Sequence, residues 1–266
     1  MLLNLLCIGD VVGGPGRRIL ESSLPQLISS HKTNCVIVNG ENAAAGSGLT
    51  AQLYQKIIAC GADVITLGDH VYKRKEIIPI LEQSDRISRP ANLSAHAPGR
   101  EVTIRETAAG HRVAVVSLLG RLNMRMPADC PFAAIDRILK ALPSDVKVIV
   151  VEIHAEATSE KVAMGWYLDG RVSVVFGTHT HIPTADERVL PKGTAYITDL
   201  GMTGPYDSVL GRLKDRVISS MTTSVPSPFD VASDDVRLCG ILARVDSMTG
   251  HATHVERVRV NESKNP

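Results

Sequence analysis

Short apolar runs that alternate with helical periods constrain this chain most. Residues 2–8, 35–39 and 63–67 are strand-like apolar runs, and 15–30, 50–60 and 73–83 carry helical signals between and after them. That alternation is the signature of βαβ units and a largely parallel sheet. Thr50 stands as an N-cap and Gly61 follows the second helix, as helix ends require. After Ser84 the pattern changes. Residues 101–105 and 112–118 read as antiparallel strands joined at Ala109-Gly110. Helices follow at 132–142 and 158–168, with strands at 147–153 and 172–176. From Glu187 onward the chain reads mostly as β, at 188–190, 195–198, 236–245 and 254–260. No repeat or linker divides it, so one α/β domain over residues 1–266 is expected. Loop insertions at about 119–131 and 201–235 are candidates for covering a site.

Composition narrows the function classes. Lys plus Arg number 29 against 28 for Asp plus Glu, which argues against a broad polyanion-binding surface. No apolar stretch approaches the ~20 residues of a membrane span. The apolar N-terminus lacks a basic flank and runs into Gly9-Asp10, so it reads as a first strand rather than a signal sequence. Five scattered cysteines fit reduced thiols in a cytoplasmic protein. Aromatic residues are only 3% of the chain, so the core must be built from aliphatic side chains.

The chemistry sits where the apolar runs end. They end in Gly9-Asp10, Asn39-Gly40-Glu41-Asn42, Gly68-Asp69-His70, His154, and His179-Thr180-His181. Ligands of open α/β sheets lie at the carboxyl ends of parallel strands, so these groups can share one rim. Taken singly, each has a structural explanation in a turn or a helix cap. The pair His179 and His181 is harder to explain that way, because residues i and i+2 of an extended segment project to one side. The set mixes oxygen and nitrogen donors without cysteine, which suits Mn, Fe or Zn and is numerous enough for two ions. Rival phosphate motifs fail: Ile19 stands where GxGxxG needs its third glycine, and no P-loop or GxSxG elbow occurs.

In order and spacing these stretches resemble the calcineurin-like metallophosphoesterases, and more closely the bacterial YmdB-type phosphodiesterases. Gly9-Asp10-Val11-Val12-Gly13, Asn39-Gly40-Glu41-Asn42-Ala43-Ala44, and Arg89-Pro90-Ala91-Asn92 carry the resemblance. So do the segment from His154 to Lys161, Gly177-Thr178-His179-Thr180-His181, and the segment from Asp199 to Asp207. The resemblance implies an αββα sandwich, two mixed β-sheets flanked by helices. It implies hydrolysis of phosphodiesters such as 2′,3′- or 3′,5′-cyclic nucleotides by a dinuclear, metal-bridged hydroxide. Asp10, Asn42 and His181 would bind one metal, Asp69, His154 and His179 the other, and Glu41 would bridge them. Fe or Mn is expected foremost, with Zn an option. His70 would contact the phosphate and protonate the leaving oxygen.

One departure stands out: the family has Asn where this chain has Asp69. An extra carboxylate would hold its metal more tightly and weaken the centre's pull on phosphate, unless the oxygen shared by both side chains is all that matters. Of the aromatics near the motifs at least one, with Tyr206 or Tyr72 favoured, is expected to flank a nucleobase. Phe176 and Trp166 are equally well read as packing the sheet, and Arg17, Arg18 and Arg89 as solvated or phosphate-attracting. The Met-rich 121–131 loop is a candidate either for a homo-oligomer contact or for the mouth of the site. A regulatory protein that keeps the metal centre, and a broad phosphomonoesterase, are the competing readings.

Overall fold

The computed structural model describes residues 1–262. Four parallel strands start the first sheet in chain order: β1 (Leu2–Ile8), β2 (Cys35–Asn39), β3 (Val64–Thr66) and β4 (Ile87–Ser88). The second sheet runs β5 (Val102–Glu106), β6 (Arg112–Leu119), β7 (Val148–His154), β8 (Val174–Thr178), then β10 (Ala195–Ile197) and β9 (Arg188–Val189). Its two edge pairs are antiparallel and its interior pairs parallel. The chain then returns to the first sheet. There β12 (Val236–Asp246) lies antiparallel to β1, pairs β11 (Gly204–Pro205) at its start and carries β13 (Ala252–Asn261) along its other edge. Both sheets are therefore mixed.

Period-two alternation sorts the side chains into layers. Leu3, Leu5 and Cys7 of β1 face Val113, Val115, Val150 and Phe176 of the second sheet in a core between the sheets. Leu6 and Ile8 point the other way, onto α1 (Gly13–His31) and α2 (Ala51–Ala59). The far face of the second sheet, with Val116, Leu118, Val151 and Ile153, is covered by α4 (Pro131–Ala141) and α5 (Thr158–Leu168). Strands buried on both faces need near-continuous apolar sequence, which β2 has up to Asn39 and β7 has apart from Glu152 and His154. The result is the four-layer α/β/β/α arrangement that the family resemblance implies.

Local departures have local causes. The helix expected over 73–83 is split into a 3-10 turn at Lys75–Ile77 and α3 (Ile78–Gln83), because Pro79 supplies no N–H and is tolerated only near a helix start. The loop 201–235 contains β11 and a further helix, α6 (Lys214–Thr223). Thr50 caps α2 as expected, accepting the Leu53 N–H at 3.2 Å. Among the described residues the cysteines are all free, and no helix is long and apolar enough to cross a membrane.

Candidate metal centre

The polar strand ends come together on one rim, contributed by both sheets. Asp10 follows β1 and is fully buried. Glu41 and Asn42 follow β2, and their side chains bond each other at 3.0 Å. Asp69 and His70 follow Gly68 just beyond β3. A Cβ on Gly68 would sit 2.3 Å from the His154 ring and 2.4 Å from a Glu41 oxygen, so only glycine fits. From the second sheet β7 ends in His154, and His179 and His181 follow β8.

One ligand atom each from Glu41, Asp69, His154 and His179 lies within 4.8 Å of all the others. His154 Nε2 stands 3.1 Å from Asp69 Oδ1, 3.4 Å from Glu41 Oε1 and 3.0 Å from His179 Nδ1. Asp10, Asn42 and His181 border this group. Asn42 Nδ2 is 3.2 Å from His181 Nε2, which is 4.0 Å from Asp10 Oδ1. His70 closes one side, its Nδ1 2.7 Å from Asn42 Oδ1 and 3.3 Å from Glu41 Oε1. All eight residues singled out in the sequence as metal ligands or acid are thus neighbours.

The residues present fit a cation. Asp10 Oδ1 is buried without a hydrogen-bond partner among the described residues, a costly state for a carboxylate oxygen. Two imidazole nitrogens face each other beside three carboxylates. Burial disfavours the His154 imidazolium, yet Glu41, Asp69 and neighbouring carboxylates outweigh it and raise its pKa well above the usual value. Burial likewise opposes the Asp69 carboxylate, but His154 and His179 hold its pKa below the ordinary range. Burial raises Asp10. A bound ion would displace the protons that His154 and Asp10 tend to hold and would take Asp69 already ionised.

The backbone of the histidine pair differs from the extended segment expected. His179 has φ 92° and His181 φ 64°. Both imidazoles reach the cluster, but from a left-handed loop rather than from one side of a strand. Non-glycine residues in that region cost about 1–3 kcal/mol each. The loop is held by its surroundings: Asp10 Oδ2 accepts the His179 N–H at 3.2 Å, and His181 Nδ1 is 3.0 Å from the Leu210 carbonyl. Between them Thr180 donates its hydroxyl to Asp199 Oδ2 at 2.7 Å. Asp199 in turn pairs with Lys161 at 2.6 Å, both fully buried.

Supporting residues were missed in the sequence. Glu152, inside β7, accepts from Asn39 Nδ2 and from Thr178 Oγ1, each at 2.5 Å. Thr178 Oγ1 is also 2.8 Å from His154 Nδ1, which turns His154 Nε2 toward the cluster. A single charged residue within the run Val-Ile-Val-Val-Glu-Ile-His was the available signal.

The two tyrosines part company. Tyr72 lines a cavity of about 420 Å³ with Asp69, His70, Arg125 and Met126, and its hydroxyl donates to the Pro98 carbonyl at 2.7 Å. Tyr206 borders a different cavity with Asp234 and Arg259, and its hydroxyl donates to the Met202 carbonyl at 3.0 Å. Phe176 is buried between the sheets, whereas Trp166 is exposed beneath Arg188. Arg89, expected at the surface, is instead buried and binds carbonyls of residues 90, 94, 97 and 99.

A family profile described as YmdB-like protein matches residues 6–258. A 2′,3′-cyclic-nucleotide 2′-phosphodiesterase of Bacillus subtilis (strain 168) is 44% identical over 260 residues, 98% of either chain. The structure of a hypothetical protein from Thermus thermophilus superposes with TM-score 0.91 at 38% identity, covering 98% of this chain and 100% of that one. A novel phosphatase from Mycoplasma pneumoniae superposes with TM-score 0.92 at 32% identity, covering 98% and 94%.

Proposed function

This chain belongs to the YmdB-like family, and on that premise we propose that it is a metal-dependent phosphodiesterase acting on cyclic nucleotides, 2′,3′-cyclic esters foremost. The observation that carries this reading is the meeting of Glu41, Asp69, His154 and His179 within 4.8 Å, with His70 at the edge of an open cavity. Asp10, Asn42 and His181 would hold one divalent ion, Asp69, His154 and His179 a second, and Glu41 both. Mixed oxygen and nitrogen donors suit Fe, Mn or Zn alike, and the family resemblance puts Fe or Mn foremost. Bound ions supply Lewis acidity toward a phosphoryl group and lower the pKa of water.

His70 does the proton work of this chain. Its Nδ1 faces an amide oxygen, so Nδ1 carries a proton and Nε2 is the atom left to serve substrate. Burial works against its charge, but in the metal-free chain Glu41 and Asp69 prevail and raise its pKa; an imidazolium held at this place would serve the departing ribose oxygen as acid. Asn42, bonded to both His70 and His181, fixes the acid relative to the ligands.

Metal analysis and turnover of bis-p-nitrophenyl phosphate and a 2′,3′-cyclic nucleotide, each compared with His70→Ala, test the proposal. The expected result is metal in both proteins and a turnover loss of about 10²–10⁴-fold in the variant, the range for general acid–base groups. Metal in both with turnover in neither would show a binding protein instead.

A further inference from the structure

Resting on that reading, we propose that the substrate's nucleoside bears a further phosphate on its 5′ oxygen. A strip of unpaired cations leading away from the cluster, Arg125, Lys73, Arg74, Lys75 and Arg17, would receive it.

Two cavities share one residue. The cavity of about 420 Å³ at His70 is bordered by Lys73 and Arg125. Lys73 also borders a neighbouring cavity of about 480 Å³ lined by Arg17, Arg74, Lys75 and Glu76. Each is large enough for a nucleotide-sized group. Lys73, Arg74 and Lys75 follow closely on His70 in sequence, and the Lys73 N–H donates to the His70 carbonyl at 3.0 Å. The loop after Asn42 presses on it: a Cβ on Gly48 would lie 2.7 Å from Arg74 Cγ and 3.0 Å from Lys73 Cβ. Arg17 donates to the Ala43 carbonyl of the same loop.

Position, more than pairing, sets these cations apart: Arg121, Lys140 and Arg244 elsewhere also lack a carboxylate partner among the described residues, whereas the strip lines the two adjoining cavities beside His70. Arg105, Arg112, Arg137, Arg216 and Arg257 each meet a carboxylate at 2.7–2.8 Å. Among the described residues none of the five strip cations forms an ion pair with a carboxylate within 4.0 Å, and Glu76 is the sole acid lining the second cavity. Three consecutive exposed cations, Lys73-Arg74-Lys75, sum to a local positive potential that attracts an anion. The scissile phosphate belongs to the cluster, so the strip calls for a second. In a 2′,3′-cyclic ester both the 2′ and 3′ oxygens are already used, which leaves the 5′ oxygen. A nucleotide's own 5′-phosphate and an internucleotide phosphate share that chemistry. The chain's near-zero net charge agrees with a local strip rather than a broad basic face.

The test compares kcat/KM of the metal-loaded protein on three substrates. These are a 2′,3′-cyclic nucleoside monophosphate, its 5′-phosphorylated form, and a dinucleotide ending in the same cyclic phosphate. At low salt the substrates with the 5′ phosphate should lead by about tenfold or more, the scale of one added charge-assisted contact. That lead should shrink as salt rises. Arg74→Glu/Lys75→Glu should lower kcat/KM for those two substrates about tenfold more than for the plain ester. The substituted side chains are exposed, and the salt series on the unaltered protein carries the test if the variant fails to fold. Whichever 5′-bearing substrate leads identifies the source of the phosphate. Turnover of all three without any lead overturns this inference and leaves the phosphodiesterase standing, whereas turnover of none overturns both.

Discussion

Thr178 shows how much of a metal centre lies behind its ligands. Its hydroxyl stands between the buried Glu152 carboxylate and His154 Nδ1, so it settles which imidazole nitrogen faces the cluster. Partners of this kind typically govern about 10–100-fold in metal affinity. Thr178→Val should therefore weaken metal binding by that factor, read by competition with a chromogenic chelator. An unchanged affinity would show that strand geometry alone orients the ring. Asp69 is the second residue to probe. With Asp10 and Glu41 it gives the cluster three carboxylates, where an Asn at this position would leave two. Asp69→Asn should bind metal more weakly and turn over substrate equally well or faster, with a more acidic pH optimum. Collapse of activity at saturating metal would refute the charge-balance explanation.

At the level of elements, one segment crosses both sheets at the rim. A Cβ on Gly9, after β1, would fall 1.9 Å from the Gly201 carbonyl oxygen. One on Gly177, in β8, would fall 1.8 Å from that of Thr198. The 198–201 segment thus lies against both strand ends and carries Asp199, which anchors Thr180. Asp186 holds the near side of this segment, accepting from Thr198 Oγ1 at 2.5 Å and Thr198 N at 3.1 Å. Burial raises the Asp186 pKa, but those hydrogen bonds outweigh it and leave the group below its usual value. A depressed folded-state pKa contributes stability that is present above the unfolded value of about 3.9 and is lost as pH falls through the folded one. Asp186→Asn should therefore lose stability near neutral pH and flatten the acid limb of a denaturant-midpoint profile below about pH 4. Parallel profiles for both proteins would exclude Asp186 from acid unfolding.

On the scale of the whole molecule, the cluster is a clasp between sheets. Asp10, Glu41, Asn42, Asp69 and His70 come from one sheet, and His154, His179 and His181 from the other. Without a cation the carboxylates of Asp10, Glu41 and Asp69 repel one another on one side of that junction, and hydrogen bonds tie them to the histidines of the other. An ion that binds only the folded chain adds about 2.7 kcal/mol at a concentration about 100 times its Kd. Mn²⁺ added to chelator-stripped protein should accordingly raise Tm by several degrees, and Asp10→Asn should blunt the rise. A Tm indifferent to Mn²⁺ would mean the clasp closes equally well without metal.

Much of this molecule was legible in the chain itself, because hydrophobic periodicity and strand-end polarity are local properties. The βα alternation of the first half, the antiparallel pair β5–β6 and the Thr50 cap all follow from neighbours in sequence. So does the list of groups gathered at the rim, since each stands at the end of an apolar run. Tertiary packing decided the rest. The pairing of β12 with β1 joins residues more than 230 positions apart, which no local pattern encodes. The left-handed turn at His179 and His181 is held by Asp10, Leu210 and Asp199, all distant in sequence. Burial of Glu152, Lys161 and Arg89 became evident only once partners from other elements enclosed them. A charged side chain can be buried only where distant groups satisfy it, and only the folded chain brings those groups into reach.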